Sequence, residues 1–333
     1  MNDVITMDHG SGGKKSASLV QEIFLPAFAN DALNALGDGA VLEGGANLVM
    51  STDSFVIAPR FFPGGDIGKL AVCGTVNDVC MAGGAPKYLS LGMILEEGLP
   101  LDELRSVAAS IAKAANEANV QIVTGDTKVV ERGKGDGLYI NTAGIGFLRH
   151  PGLSRERMRE GDAVIVSGFV GDHGAAVMLA RAELGIKSSL CSDCAPLTAM
   201  CASLAACGEA VRVLRDPTRG GVATALNEFV EDTPLCIELT EDAIPIRAET
   251  QAGCDLLGLD PLYCANEGKL VAVVDKEKAE EALAAIRRAP YGENAAVIGT
   301  VSARSPGHVL LLTRAQGTRM LSKLTGAELP RIC

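Results

Sequence analysis

Strand-like and helix-like stretches alternate along nearly the whole chain, in two successive halves of similar size. That order constrains the fold more than any other feature, because strands separated by amphipathic helices build layered α/β sheets. In the first half, "NLVMSTDSFVI" reads as a strand with a turn at Thr52-Asp53, "IGKLAVCGTVNDVCMAG" has helical spacing, and "KYLSLGMIL" is strand-like again. "LDELRSVAASIAKAANEA" is an amphipathic helix with the apolar face Leu104, Val107, Ala108, Ile111, Ala115 and Ala118. Its Asp102 and Glu103 suit the positive end of the helix dipole. "VQIVTGDTKVV" and "YINTAGIGFL" follow as strands.

A charged stretch with Pro and Gly at 149–162 breaks the pattern, and the alternation then resumes. "DAVIVSGFV" is a buried strand and "HGAAVMLARAEL" a helix, with helical stretches next at 196–214 and 217–231. The strand "LCIELT", the helix "AETQAGCDLLGL", the strand "GKLVAVVD", the helix "KEKAEEALAAIRRA" and the strands "AAVIGTV" and "HVLLLT" complete it. The expected organisation is a Gly-rich loop and helix (1–34), a first domain (35–150), a second α/β domain (151–325) and a mobile tail (326–333). The 38 glycines and the 4% aromatic content favour an α/β fold with tight strand-to-helix turns over an all-β sandwich.

The net charge of −11 and the lack of a long Lys/Arg run make nucleic acid and anionic membrane poor partners. A divalent cation could still bridge such a chain to a nucleotide. No run of about 18 apolar residues is present to span a bilayer. The opening "MNDVITMDHG" lacks the basic-then-apolar pattern of a signal peptide, so a cytoplasmic protein is expected. Most of the ten cysteines should then be free thiols. Cys191 and Cys194 form the single close pair, open to a structural, redox or half-zinc reading, and no nearby His completes a metal set.

Four acidic residues of the first half sit beside Gly, Thr or Asn at the edges of apolar segments: Asp38 in "LGDGAV", Asp53 in "STDSF", Asp78 in "TVNDVC" and Asp126 in "VTGDTK". One such Asp is ordinarily a turn or cap residue. Four carboxylates brought together would repel one another unless a cation intervened, and Mg²⁺ accepts a few carboxylates plus phosphate oxygens. "HGSGGKKS" offers consecutive backbone N–H groups from Gly10, Ser11, Gly12, Gly13 and Lys14, without the spacing of a Walker A loop. "RDPTRGGVATAL", with Asp216 and Arg219, places free N–H groups at a helix start. "GFVGDHGAAV" has the same character, and its His173 is either a base or a capping or core histidine. "YCANEGKLV" puts Glu267 just before a strand. The chain closes on "LPRIC", leaving a thiol on Cys333.

The succession "GDGAV", "STDSF", "VNDVCMAGGAPKYLS", "VTGDTKVV", "SGFVGDHG", "DPTRGG" and "ANEGKLV" resembles the aminoimidazole ribonucleotide synthetase (PurM-like) superfamily of ATP-dependent enzymes. With "HGSGGK" at one end and "PRIC" at the other, the chain is similar to the HypE-type hydrogenase maturation factors over essentially its whole length. The resemblance implies a two-domain PurM-like fold, a homodimer, and ATP with Mg²⁺. It implies a carbamoyl group loaded on Cys333 by the carbamoyltransferase HypF and dehydrated there to a thiocyanate. It further implies cyanide passing to a HypC–HypD complex as an iron ligand of [NiFe]-hydrogenase. On that reading Asp38, Asp53, Asp78 and Asp126 form the Mg–ATP region, residues 9–14 close on the nucleotide, and Asp216 and Arg219 face phosphate. Lys128 and Glu267 then act near the thiocarbamate, Glu267 as base for the N–H protons and Lys128 beside the amide oxygen. A buried Glu–Lys ion pair is the plainer alternative. Seven residues follow Gly326, a reach of at most about 25 Å. A PurM-like enzyme acting on a free small substrate, and a nucleotide-binding scaffold without turnover, remain alternatives.

Overall fold

The computed structural model describes residues 4–10, 18–34, 44, 47–182, 188–323 and 331–333. Short helices α1 (Leu25–Phe28) and α2 (Asp31–Asn34) precede β1 (Leu48–Phe55) and a two-stranded hairpin, β2 (Phe61–Phe62) and β3 (Gly65–Asp66). Helix α3 (Ile67–Met81) follows, then β4 (Gly84–Glu96), helix α4 (Leu101–Ala118), β5 (Gln121–Val130) and β6 (Leu138–Leu148). The long strands form one sheet in the order β1-β6-β4-β5, parallel between β4 and β5 and antiparallel elsewhere.

Helix α3 is buried almost all round because it packs on this sheet and also against the second half of the chain. Its start is fixed by Asp66, whose Oδ1 accepts the N–H groups of Gly68 (2.7 Å) and Lys69 (3.1 Å). Gly74 lets the helix press on β1, since a Cβ there would lie 2.9 Å from the Phe55 ring. In α4 all six residues of the expected apolar face are buried, together with Ala114. The helix ends at Asn119 in the left-handed conformation (φ 57°), a common helix stop.

The second half contains β7 (Ala163–Val166), α5 (Asp172–Arg181), α6 (Thr198–Ala205), β8 (Val211–Arg215), α7 (Gly221–Val230), β9 (Cys236–Thr240) and α8 (Ala248–Leu257). Then come β10 (Val271–Val274), α9 (Ala279–Arg288), β11 (Ala296–Ser302), β12 (Val309–Leu312) and β13 (Thr318–Leu321). Its sheet runs β13-β12-β9-β11-β7-β10-β8. The central strands β7 and β10 are buried at every residue, which is why their sequences are unbroken apolar runs. One core joins the two halves and a second fills the far side of this sheet. No helix among the described residues is long and apolar enough to cross a membrane.

Two local expectations fail and one strand, β13, was not foreseen. Strand β1 passes through Thr52-Asp53 without a turn, because register pairing with β6 continues from Leu48 to Phe55. The stretch 196–214 is not one helix: α6 stops at Ala205, and 211–215 is an edge strand paired to β10. Its few apolar residues fit either periodicity, and β-branched Val211 and Val213 favour the sheet. Strand β13 is short and polar on its exposed side, so it carries little signal.

Candidate active site

The end of the chain lies in the cleft between the halves. Main-chain N–H groups of Ala58 and Val56 donate to the oxygens of Arg331 (3.3 Å) and Cys333 (3.2 Å), so the tip adds to segment 56–58 as a short strand would. Arg331 donates from Nε to the Val56 carbonyl (3.1 Å) and pairs with Asp136 (2.5 Å). Arg181 Nη2 donates to the carbonyls of Ala58 (2.6 Å) and Arg331 (2.8 Å). Ile332 is only 1% exposed, and its carbonyl lies 2.8 Å from His173 Nε2. The Cys333 thiol is pushed up to about 12, first by burial and then by the negative charges of Glu267 and Asp53, with Arg219 opposing. It is therefore a neutral thiol when docked, suited to an uncharged sulfur substituent and poor as a nucleophile.

Glu267 sits in the loop leading to β10, and its backbone is held from three sides. Its N–H donates to Asp193 Oδ1 (3.0 Å), and its carbonyl accepts from Asn77 Nδ2 (3.3 Å) and the Ala195 N–H (3.4 Å). Gly268 permits this approach, since a Cβ there would lie 1.9 Å from the Asp193 carbonyl oxygen. The Glu267 side chain is buried, and Oε1 has no hydrogen-bond partner among the described residues. Burial foremost, with the neighbouring carboxylates Asp216, Asp193 and Asp53 adding to it, pushes its carboxyl well above the ordinary range.

Three more carboxylates share this field. Burial and the neighbouring Asp78 raise Asp216 to about 7, Arg215 partly opposing. Burial also raises Asp78, against the hydrogen bond that it accepts from Ser51 Oγ (2.8 Å). Asp53 contributes to both shifts. Arg219 belongs to the turn before α7, where Gly220 (φ 79°) and Gly221 (φ 62°) take left-handed conformations. A Cβ on Gly221 would lie 2.5 Å from the Leu262 carbonyl oxygen, so this helix start is pressed against the Glu267 loop. The start of α5 is tied to the same loop by Gly171 N–H donating to Asn266 Oδ1 (2.7 Å). The chain thus gathers Asp53, Asp78, Asp216, Arg219, Glu267 and Cys333.

It does not bring Asp126 and Lys128 to that group. Along the paired strands, Asp53 aligns with Thr142, Leu91 and Gly125, whereas Asp126 aligns with Gly92, Asn141 and Ser54. Alternate rows face opposite sides of a sheet, and the Asp53 row faces α3. Asp126 and Lys128 lie on the other, exposed side, paired to each other at 2.5 Å. Lys128 keeps the Asp126 carboxyl below its usual range. The buried Glu267–Lys128 pair weighed from the sequence is absent within one chain for the same reason. Asp38, Ser11, Gly12, Gly13 and Lys14 lie outside the described residues, and Gly10 ends a 3-10 turn, Met7–Gly10. Among the described residues no three His, Cys, Asp or Glu side chains could hold a metal by themselves, Cys191 and Cys194 included. Cys191 is exposed, and Cys194 is buried in hydrogen-bond contact with Cys73.

Sequence reasoning missed Ser51, Asn77, Arg181, Ser192 and Asp193. Asn77 alone carried a visible signal, a second polar residue beside Asp78 in an apolar helix.

Asp216 gives a pH-dependent expectation. Its folded value lies above its ordinary 3.8, so its contribution to stability is complete below about pH 4 and is lost as pH rises through about 7. The difference corresponds to about 4 kcal/mol. Asp216→Asn should raise ligand-free stability by about 1.5 kcal/mol at about pH 5 and by about 4 kcal/mol at about pH 8. Denaturant titrations at the two pH values check this, and equal shifts at both would contradict it.

The sequence matches the AIR synthase related protein N-terminal domain over residues 36–148 and the AIR synthase related protein C-terminal domain over residues 159–311. The chain is 48% identical to carbamoyl dehydratase HypE of Azotobacter vinelandii, covering all of this chain and 98% of that one. It is similar to the hydrogenase maturation protein HypE crystallised in complex with ATP, at 50% identity and TM-score 0.94, over 98% of this chain and 99% of that one. It also matches a chain of a HypE–HypF complex at 45% identity and TM-score 0.80, over 92% of this chain and all of that one.

Proposed function

This chain belongs to the HypE family of carbamoyl dehydratases, on the AIR synthase related fold, and from that premise we propose that its cleft dehydrates a carbamoyl group carried on its own Cys333. The reaction converts S–C(=O)NH₂ and ATP to S–C≡N, ADP and phosphate. The thiocyanate supplies the cyanide ligand for [NiFe]-hydrogenase. The observation that carries this reading is a neutral sulfur under the influence of a buried glutamate whose Oε1 has no hydrogen-bond partner among the described residues.

The amide oxygen is a poor leaving group until it takes the γ-phosphoryl from ATP. Loss of that oxygen with phosphate, and of both N–H protons, leaves the C≡N bond. Glu267, the carboxyl that acts most strongly on the Cys333 thiol, serves as the base. It gains basic form only when the negative charge around it is compensated, so proton removal is tied to a loaded cleft. Arg219 faces the same sulfur as a cation. The Gly220–Gly221 turn presents α7 backbone N–H groups suited to phosphate.

Asp53, Asp78 and Asp216 do not by themselves make a metal set; with Asp78 and Asp216 raised first by burial and then by neighbouring carboxylates, they would suit a divalent cation only together with the phosphate oxygens of a nucleotide. We assign them to Mg²⁺, with Asp38 as a further candidate; when bound, the ion neutralises this charge and that of the phosphates. Asp126 and Lys128 stand apart, on an open sheet face where Leu48, Met50 and Ile94 are 59%, 67% and 44% exposed. Such a face favours a homodimer through this sheet. In that dimer the pair lies at the junction of two copies, and its role at the reaction depends on that junction. A single-chain mass in sedimentation would exclude it.

A HypF-type carbamoyltransferase is the loading partner, as the HypE–HypF complex of a similar chain supports. A HypC–HypD-type complex is the cyanide acceptor, and the setting is cytoplasmic. The reading is tested by the mass of the C-terminal peptide: after carbamoylation, Mg–ATP should remove one water from it. A mass unchanged by ATP would refute the reading.

A further inference from the structure

We propose that His173, oriented by Ser192, is a positioning residue that seats the tail for dehydration; this rests on Cys333 being the carrier. His173 is completely buried at the first turn of α5, with Nδ1 2.7 Å from Ser192 Oγ and Nε2 2.8 Å from the Ile332 carbonyl oxygen. The Phe62 ring stands edge-on to the imidazole, with centroids 5.4 Å apart and planes at 87°. Burial lowers the imidazole pKa and keeps the ring neutral.

A carbonyl can only accept, so Nε2 carries the proton and donates to Ile332. Nδ1 then accepts, and Ser192 must point its hydroxyl hydrogen at the ring. Ser192 Oγ in turn accepts the Cys194 N–H (3.0 Å). The direction of every bond in the chain Cys194–Ser192–His173–Ile332 is thus fixed. The loop that supplies Ser192 is the same one that holds Glu267 through Asp193 and Ala195. One short segment therefore sets the position of the base and, through His173, the depth of the sulfur.

His173 uses an acceptor 159 residues away, one residue before the reacting sulfur. When the tail swings out to be loaded, Nε2–H loses that partner. The bond therefore favours the docked state over the released one and leaves nucleotide binding alone. Losing a buried neutral hydrogen bond and orphaning its partner shifts such an equilibrium by about 10- to 100-fold.

The test uses the full-length protein and reads only the C-terminal peptide by mass. Iodoacetamide alkylation of Cys333 reports docking, and a single turnover of carbamoylated protein under saturating Mg–ATP reports dehydration. His173→Ala should speed alkylation and slow dehydration, each by about 10- to 100-fold, with the KM for ATP within about twofold of wild type. His173→Gln keeps a donor toward Ile332 and should recover most of both losses. Ser192→Ala should fall between. Unchanged alkylation in His173→Ala overturns the proposal, as does a Gln variant no better than Ala. Should His173→Ala fail to fold, Ser192→Ala decides: faster alkylation supports the latch, and a wild-type rate refutes it. If carbamoylated wild type is not dehydrated while the variants still expose the thiol, the carrier reading fails and the latch stands. If dehydration proceeds and no variant alters alkylation, the latch alone fails.

Discussion

Cys333→Ala abolishes dehydration and carbamoylation-dependent ATP hydrolysis, while ATP affinity stays within about twofold of wild type. The split follows from where the sulfur sits. Ile332, the Val56 N–H and the His173 contact hold the tail through groups that alanine retains. The carboxylates and the α7 turn assigned to Mg–ATP make no use of the thiol. Alanine removes only the atom that bears the substrate. ATP turnover with and without carbamoyl donor, beside equilibrium ATP binding, checks both halves. A variant that still releases cyanide would show that the carrier is another group.

Glu267→Gln lowers the dehydration rate by about 10²–10⁴-fold, the usual worth of a positioned general base. The amide keeps the shape of the protonated carboxyl present in the ligand-free cleft, so folding should not suffer and ATP binding should persist. Because the Glu267 carboxyl is held above its ordinary range, the rate should rise with pH on a limb displaced upward from about 4.3. That limb should vanish in the glutamine variant. Single-turnover rates of carbamoylated protein across pH supply the comparison. A rate within about threefold of wild type at every pH would remove Glu267 from the proton transfer.

Long periodic elements were legible in the sequence, and short or edge elements were not. Helix α4 showed its buried face because its apolar spacing, acidic start and length all agree. The segment 211–215 did not, since five residues at a sheet edge satisfy two periodicities and only pairing with β10 decides between them. At the site, Asp53, Asp216, Arg219 and Glu267 could be picked out as polar residues at the ends of apolar runs, and Asp78 as an acid inside an apolar helix. Their convergence could not be read from spacing, because it depends on α3 reaching across to the second half. Asp126, like Asp53, sits among small and hydroxyl-bearing residues of a strand, yet one step of strand register turns it to the opposite face. His173 was ambiguous for a related reason: its acceptor is supplied by the distant end of the chain.

The most direct measurement follows the carbamoyl oxygen. Cys333 is loaded with a carbamoyl group carrying heavy oxygen, and Mg–ATP is added for one turnover. Phosphorylation of the amide in this cleft predicts that the C-terminal peptide loses the label and that inorganic phosphate gains it. Label appearing in water instead, with unlabelled phosphate, would contradict the account.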